Sequence, residues 1–272
     1  MPHSHVTPAI ILRSWPFGES DEIVCFLTEN HGKVTGIAKG AKRSRRRFVN
    51  SLEPFSLVNL RFQDRPQSNL VLIIASDLAR SYKQLASSLE KISFASYMVE
   101  ITDGVVGERE ESCVIFRHLR DGLSYLDENR ASLRFLTAFE LKLLQLAGYQ
   151  PWLENCKRCG KNRSDTLTDR WYFSPKDGGI FCQSCSQWTK EIISIAAKAL
   201  EILADLQAEK NVMSPCVLLP SSVVKEVRSA VQRFIQFHID REIKSAAFLN
   251  DLSAGIEPHC LSNGNHNGNS EK

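Results

Sequence analysis

Residues 55–62 read FSLVNLRF. Val58, Leu60 and Phe62 alternate with Asn59 and Arg61, the period-two pattern of a strand with one wet and one buried face. Working outward, the runs AIILRSW (9–15), EIVCFL (22–27), KVTGIAKG (33–40) and NLVLIIAS (69–76) are also β-rich. Turn residues separate them: Pro16-Phe17-Gly18, Asn30-His31-Gly32 and Pro66-Gln67-Ser68. Five short strands in about 75 residues match the size of a small Greek-key barrel of the OB type. A small sandwich has the same signature in sequence.

Between the third and fourth strands lies KGAKRSRRR, residues 39–47. From Lys33 to Arg47 there are seven cations and no acid, whereas the rest of the chain carries 27 Lys and Arg against 31 Asp and Glu. The formal net charge of +3 therefore hides a mildly acidic body with one concentrated basic segment. Clustered charge builds a potential that dispersed charge does not, so a polyanion is the expected partner. On an OB barrel this loop falls near the face where basic loops track a nucleic-acid backbone. Phe48 and Phe55 flank it and suit either base stacking or the barrel core.

From about residue 80 the period turns helical. SLEKISFASYMVEITDGVV sets Leu89, Ile92, Phe94, Tyr97, Met98 and Ile101 on one broad face. CVIFRHLRDGLSYL and SLRFLTAFELKLLQLAG follow, the latter stopping at Gly148 with Pro151 beyond. The helical pattern resumes at IISIAAKALEILADL and again over 221–252. The last stretch is polar and rich in Asn and Gly, a composition expected to be disordered. The expected plan is α+β and multidomain: an OB-fold β-barrel over 1–80, a helical domain over 81–150, an inserted cysteine module over 151–190, a second helical part over 191–252, and a tail over 253–272.

That module carries two CxxC pairs, Cys156/Cys159 and Cys182/Cys185, separated by 22 residues. Two thiolates three residues apart on a tight turn face one ion, and two such knuckles supply the four soft ligands that tetrahedral zinc prefers. Four thiolates leave no open coordination position, so a structural Zn2+ is expected rather than a catalytic one. Trp171, Tyr172 and Phe173 offer an apolar platform, and Gly178-Gly179 a turn before the second knuckle. Cys25, Cys113, Cys216 and Cys260 read as buried or bystander thiols, and His3 and His5 as part of a loose terminus.

The chain lacks a P-loop, a GxSxG elbow and an HExxH helix. Its clear features serve binding rather than bond making, so an enzyme is not expected. No run approaches the roughly 18 apolar residues of a membrane span, and the N-terminus does not read as a signal peptide. A cytoplasmic protein with reduced thiols is expected.

Taken together, several stretches resemble the RecO family of bacterial recombination mediators. They are GESDEIV (18–24), HGKVTGIAKGAKRSRRR (31–47) leading to LEPF (52–55), LKLLQLAGYQPWLENCKRCG (141–160), YFSPKDGGIFCQSC (172–185) and IKSAAFL (243–249). The resemblance spans nearly the whole chain. It implies the OB fold and helical domain with an inserted zinc module, and a role without catalytic turnover. It also implies binding of single- and double-stranded DNA, annealing of complementary strands, and work with RecR to help RecA displace SSB from single strands. The implied DNA contacts are Lys39, Lys42, Arg43, Arg45, Arg46 and Arg47, with Lys33 and Arg61 as neighbours. Two other readings share much of this evidence: a zinc-ribbon and OB protein of transcription or RNA handling, and a metal-dependent nuclease.

Overall fold

A computed structural model describes residues 4–164, 169–208 and 221–253. His3, Cys216, Cys260 and the expected tail beyond 253 lie outside the described residues.

Five strands form a closed barrel: β1 (Ser4–Phe17), β2 (Asp21–Thr28), β3 (Lys33–Ala38), β4 (Leu57–Gln63) and β5 (Val71–Arg80). Their order around the barrel is β1-β2-β3-β5-β4, with β4 returning to β1, which settles the choice between barrel and sandwich. Strand β1 serves two partners: Ser4–Ile10 pairs with β4 and Ala9–Phe17 with β2, and an irregularity between Ile11 and Arg13 bends it from one to the other. Closure depends on a short parallel pairing, Gly36 with Val71 and Ile37 with Leu72. A Cβ on Gly36 would stand 2.6 Å from Val71 Cγ2, so a side chain there would push β5 away.

Ala9, Ile11, Val24, Phe26, Val58, Leu60 and Phe62 fill the barrel. Ile10, Leu12, Cys25 and Leu27 point the other way and join the core of the helical body. Strand β2 is thus buried on both faces, which is why EIVCFL lacks the alternation that β4 shows.

The helical body contains α1 (Leu89–Val105), α2 (Cys113–Glu128) and α3 (Leu133–Leu146). Ser88 and Ser132 cap α1 and α3 by accepting from the amides of Lys91 and Phe135. Gly148 ends the third helix region at φ 82°, a left-handed conformation that glycine takes without strain. Helix α1 departs from the expected one-sided face. Leu89 is 60% exposed, while Ser93, Ala95, Val99, Thr102 and Asp103 are buried beside Phe94, Tyr97, Met98 and Ile101. The barrel and other helices surround α1, so its polar residues meet partners instead of water.

The inserted module begins after α3. It holds β6 (Arg170–Ser174), β7 (Gly179–Phe181), the one-turn α4 (Gln183–Ser186) and β8 (Ile193–Ala196), in the sheet order β7-β6-β8. The run ISIA (193–196) was expected to be helical; it is instead the strand β8, pairing Ile193, Ser194, Ile195 and Ala196 with β6. Its β-branched residues fit a pleated surface better than a helix, and Ile195 packs in the core beside Trp171 and Phe173. The sheet therefore extends past residue 190. Helices α5 (Ala197–Ala208), α6 (Ser221–His238) and α7 (Lys244–Ser253) complete the body. The expected helical run over 221–252 is broken near Arg241, and the Glu100 carboxylate accepts from the amides of Lys244 and Ser245 to start α7. No helix among the described residues is long and apolar enough to cross a membrane.

Candidate nucleic-acid interface and metal centre

The loop between β3 and β4 is fastened to the barrel while its charges face outward. Its start is held by Asp21, whose Oδ1 accepts from the Gly40 amide at 2.8 Å. Burial opposes ionisation of this carboxyl, but the Gly40 bond is the stronger influence and keeps it below the usual carboxylate range. Residues Ala41–Arg43 make one 3-10 turn, and the Lys42 amide donates to Ser20 O. Ala41, Phe48 and Leu52 plug into the barrel core. The far end is tied down where the Ser76 amide donates to Arg47 O, and Ser51 and Ser76 exchange hydroxyl-to-carbonyl bonds.

Lys39, Lys42, Arg43, Arg45, Arg46 and Arg47 are all exposed on this frame. Arg47 differs from the others: its Nη2 donates to Lys39 O at 2.8 Å and its guanidinium lies over Phe48, so it braces the two ends of the loop. The loop also meets the β1–β2 turn, where Lys42 Nζ is 3.4 Å from Gly18 O and Arg43 is 4.0 Å from Glu19. On that hairpin Trp15 and Phe17 are exposed, with Arg13 over the Trp15 ring. Sequence reading missed these aromatics because WPF sat at the end of an apolar strand. Cations beside open aromatic faces are a combination suited to single-stranded nucleic acid. A groove of about 470 Å3 runs below the loop and is lined by Lys42, Arg45, Glu22 and Glu53, among others. Burial and the Glu53 charge raise the Glu22 carboxyl, with Lys42 opposing them.

The outlying candidates have other settings. Arg61 is exposed on β4 opposite Ala75, next to the Ser76 that anchors the loop. Lys33 turns away from the loop: its Nζ donates to Asp103 O at 2.7 Å and lies 3.3 Å from Asp103 Oδ1. Phe48 belongs to the barrel core, and Phe55 packs against the helical core. His5 is bonded to Asp64 at 2.8 Å.

The second candidate is the cysteine cluster. Cys156, Cys159, Cys182 and Cys185 place their Sγ atoms within 4.8 Å of one another. A tetrahedral Zn–S distance near 2.3 Å requires sulfurs about 3.8 Å apart; Cys159 and Cys182 lie at 3.7 Å. The backbone joins the knuckles, for Lys157 N donates to Ile180 O two residues before Cys182. Burial raises the Cys156 thiol, but the amides of Cys159, Cys182 and Arg158 outweigh it and bring it to about 6. Burial and the neighbouring cysteines push Cys185 up to about 12. Four sulfurs this close, one of them readily ionised, are a donor set suited to a bound cation. The other described cysteines stand apart: Cys25 is buried and Cys113 exposed.

Two polar clusters give no signal in sequence. Asp103, 1% exposed, gathers Arg13 from β1, Lys33 from β3 and Arg241 from the break between α6 and α7. Glu140 on α3 accepts from both Tyr97 and Arg228, and all three are buried.

Comparison with known families agrees with this architecture. The model described as Recombination protein O N terminal matches residues 1–82, and Recombination protein O C terminal matches 86–247. The chain belongs to the RecO family. A protein named DNA repair protein RecO from Anaeromyxobacter sp. (strain Fw109-5) is 34% identical over 250 residues, covering 89% of this chain and 94% of its own. RecO proteins from Syntrophus aciditrophicus, 30% identical with 92% and 96% covered, and from Thermoanaerobacter sp. (strain X514), 32% identical with 90% and 97% covered, are similar to it over the same span. The RecO N-terminal match ends where the barrel ends, and the C-terminal match takes in the cysteine module as well as the helices.

Proposed function

We propose that this chain is a DNA-binding recombination mediator that works without catalytic turnover in recombinational repair. The carrying observation is the loop 39–47, whose backbone is fixed to the barrel while its cations face solvent. Such a frame loses little conformational entropy when it meets a phosphate backbone. Family membership and relatives named DNA repair protein RecO support DNA as the polyanion.

In this reading Lys39, Lys42, Arg43, Arg45 and Arg46 contact phosphates, Arg47 holds the loop, and Arg61 extends the track. Lys33 supports the barrel through Asp103. Single and double strands share the phosphate contacts, while Trp15 and Phe17 favour unpaired bases. Two strands held on one cationic surface repel each other less and meet at higher local concentration, so base pairing drives annealing. With RecR the protein helps load RecA onto SSB-coated single strands in the cytoplasm. The four cysteines hold a structural Zn2+, which orders the module and supplies no reactive position.

The test is fluorescence anisotropy of a labelled single-stranded oligonucleotide across a salt series. Neutralising about five phosphates gives a log–log salt slope of roughly −3.5 for a single strand. Changing Lys42, Arg45 and Arg46 together to Ala is expected to bring that slope to roughly −1.4 and to slow annealing in parallel. Unchanged binding and slope would remove the loop from the interface. Capture of purified RecR by the tagged chain checks the partner.

A further inference from the structure

We infer that the cysteine module carries a second binding surface for single-stranded nucleic acid, centred on Trp188. Beside the four thiols lies a groove of about 640 Å3, lined by Lys157, Arg158, Lys176, Asp177, Trp188 and Lys190 and others. Trp188 is 69% exposed, although tryptophan is a residue that folding strongly favours burying. The Arg158 guanidinium lies 5.2 Å from its ring centroid, and most of the indole remains open.

The surroundings fix this platform. The Trp188 amide donates to Cys185 O at 3.2 Å, directly after the second knuckle. Lys157 Nζ donates to Asp177 O across the groove. A metal on the cysteines would explain cations at Lys157 and Arg158, which sit inside the first knuckle and offset thiolate charge. It does not explain Lys176, on the β6–β7 turn, or Lys190, beyond the second knuckle. Three separate segments bring cations to one open aromatic face, with Asp177 the acid among those lining residues. A flat stacking surface with flanking phosphate contacts selects unpaired bases over duplex, whose base faces are closed.

The surface rests on the DNA-binding reading of the chain, but not on the barrel loop. Its test uses the full zinc-loaded chain and fluorescein-labelled oligo-dT, in the native chain and in one with Lys42, Arg45 and Arg46 changed to Ala. In both backgrounds Trp188→Ala is expected to weaken binding about tenfold, with Trp188→Phe keeping most of the affinity. Lys176→Glu with Lys190→Glu is expected to reduce the salt slope by at least about 1.4. Zinc content and circular dichroism should match the parent, because these side chains are exposed. If all three variants bind oligo-dT like their parents, the inference is wrong, and loss on changing the barrel loop alone would still uphold that loop. Loss through Trp188→Ala, with binding unaffected by the loop changes, would uphold the module and reject the loop. Weakened capture of a poly-glutamate peptide with unchanged DNA binding would make the groove a site for an acidic protein segment, and would also overturn the inference.

Discussion

Arg13 Nη2 on the barrel strand β1 lies 3.1 Å from Asp103 Oδ2 on the helix α1. Through this contact a nearly fully buried carboxylate joins the barrel to the helical body, and Lys33 and Arg241 converge on the same group. Removing Asp103 leaves Lys33, 12% exposed, without its counter-charge, while the partly exposed Arg13 and Arg241 turn to water, so the cost stays below the roughly 3–5 kcal/mol of a fully buried pair. Asp103→Ala is therefore expected to lower the urea midpoint, whereas Arg61→Ala should leave it within about 0.5 kcal/mol.

The same carboxyl sets part of the acid limit. Burial raises Asp103, but the Arg241 bond and the charges of Lys33 and Arg13 together hold it below the usual range. Its folded pKa is the lower one, so its contribution is present above roughly pH 4 and is lost as pH falls further. Urea unfolding of the native chain and Asp103→Asn at pH 6 and pH 3 should show their stability difference shrinking at the lower pH.

His118 acts at milder acidity. Burial drives its imidazole down to about 4, and the ring stacks on Phe139 and donates to Phe139 O. The unfolded chain then binds a proton that the folded chain refuses. Stability is expected to decline from about pH 6.5 to pH 4 and to stop changing on this account below that. The His118→Gln chain should show a flatter profile in that window.

Metal removal should act on the module first. Four thiols within 4.8 Å repel one another once ionised, and the knuckles are joined through Lys157 and Ile180. Chelation, or Cys156→Ser, is expected to open the segment around β6 and β7 to proteolysis and to leave the barrel protected. Limited digestion with mass spectrometry checks this.

Thiol reactivity should separate two of the remaining cysteines. Burial and the Asp103 charge push Cys25 up to about 11, while Cys113 is exposed at the start of α2. At pH 8 iodoacetamide is expected to label Cys113 and to spare Cys25, read by peptide mapping.

The sequence by itself determined the five strands, the basic loop and the cysteine set, because each is a local pattern, whereas closure of the strands into a barrel rests on the long-range β3–β5 and β1–β4 pairings. Alternating Val58, Leu60 and Phe62 report a strand directly, and two CxxC pairs carry their geometry in their spacing. A run of cations reports a field whatever its backbone does. Tertiary structure alone decided what depends on distant neighbours. Residues 103, 13, 33 and 241 share a charge centre that no spacing announces, and Lys33 is taken from the basic loop by it. The run ISIA became a strand because β6 offered an edge to pair with. Trp15, Phe17 and Trp188 read as ordinary apolar residues in the chain; only the folded structure shows that they stay open to solvent.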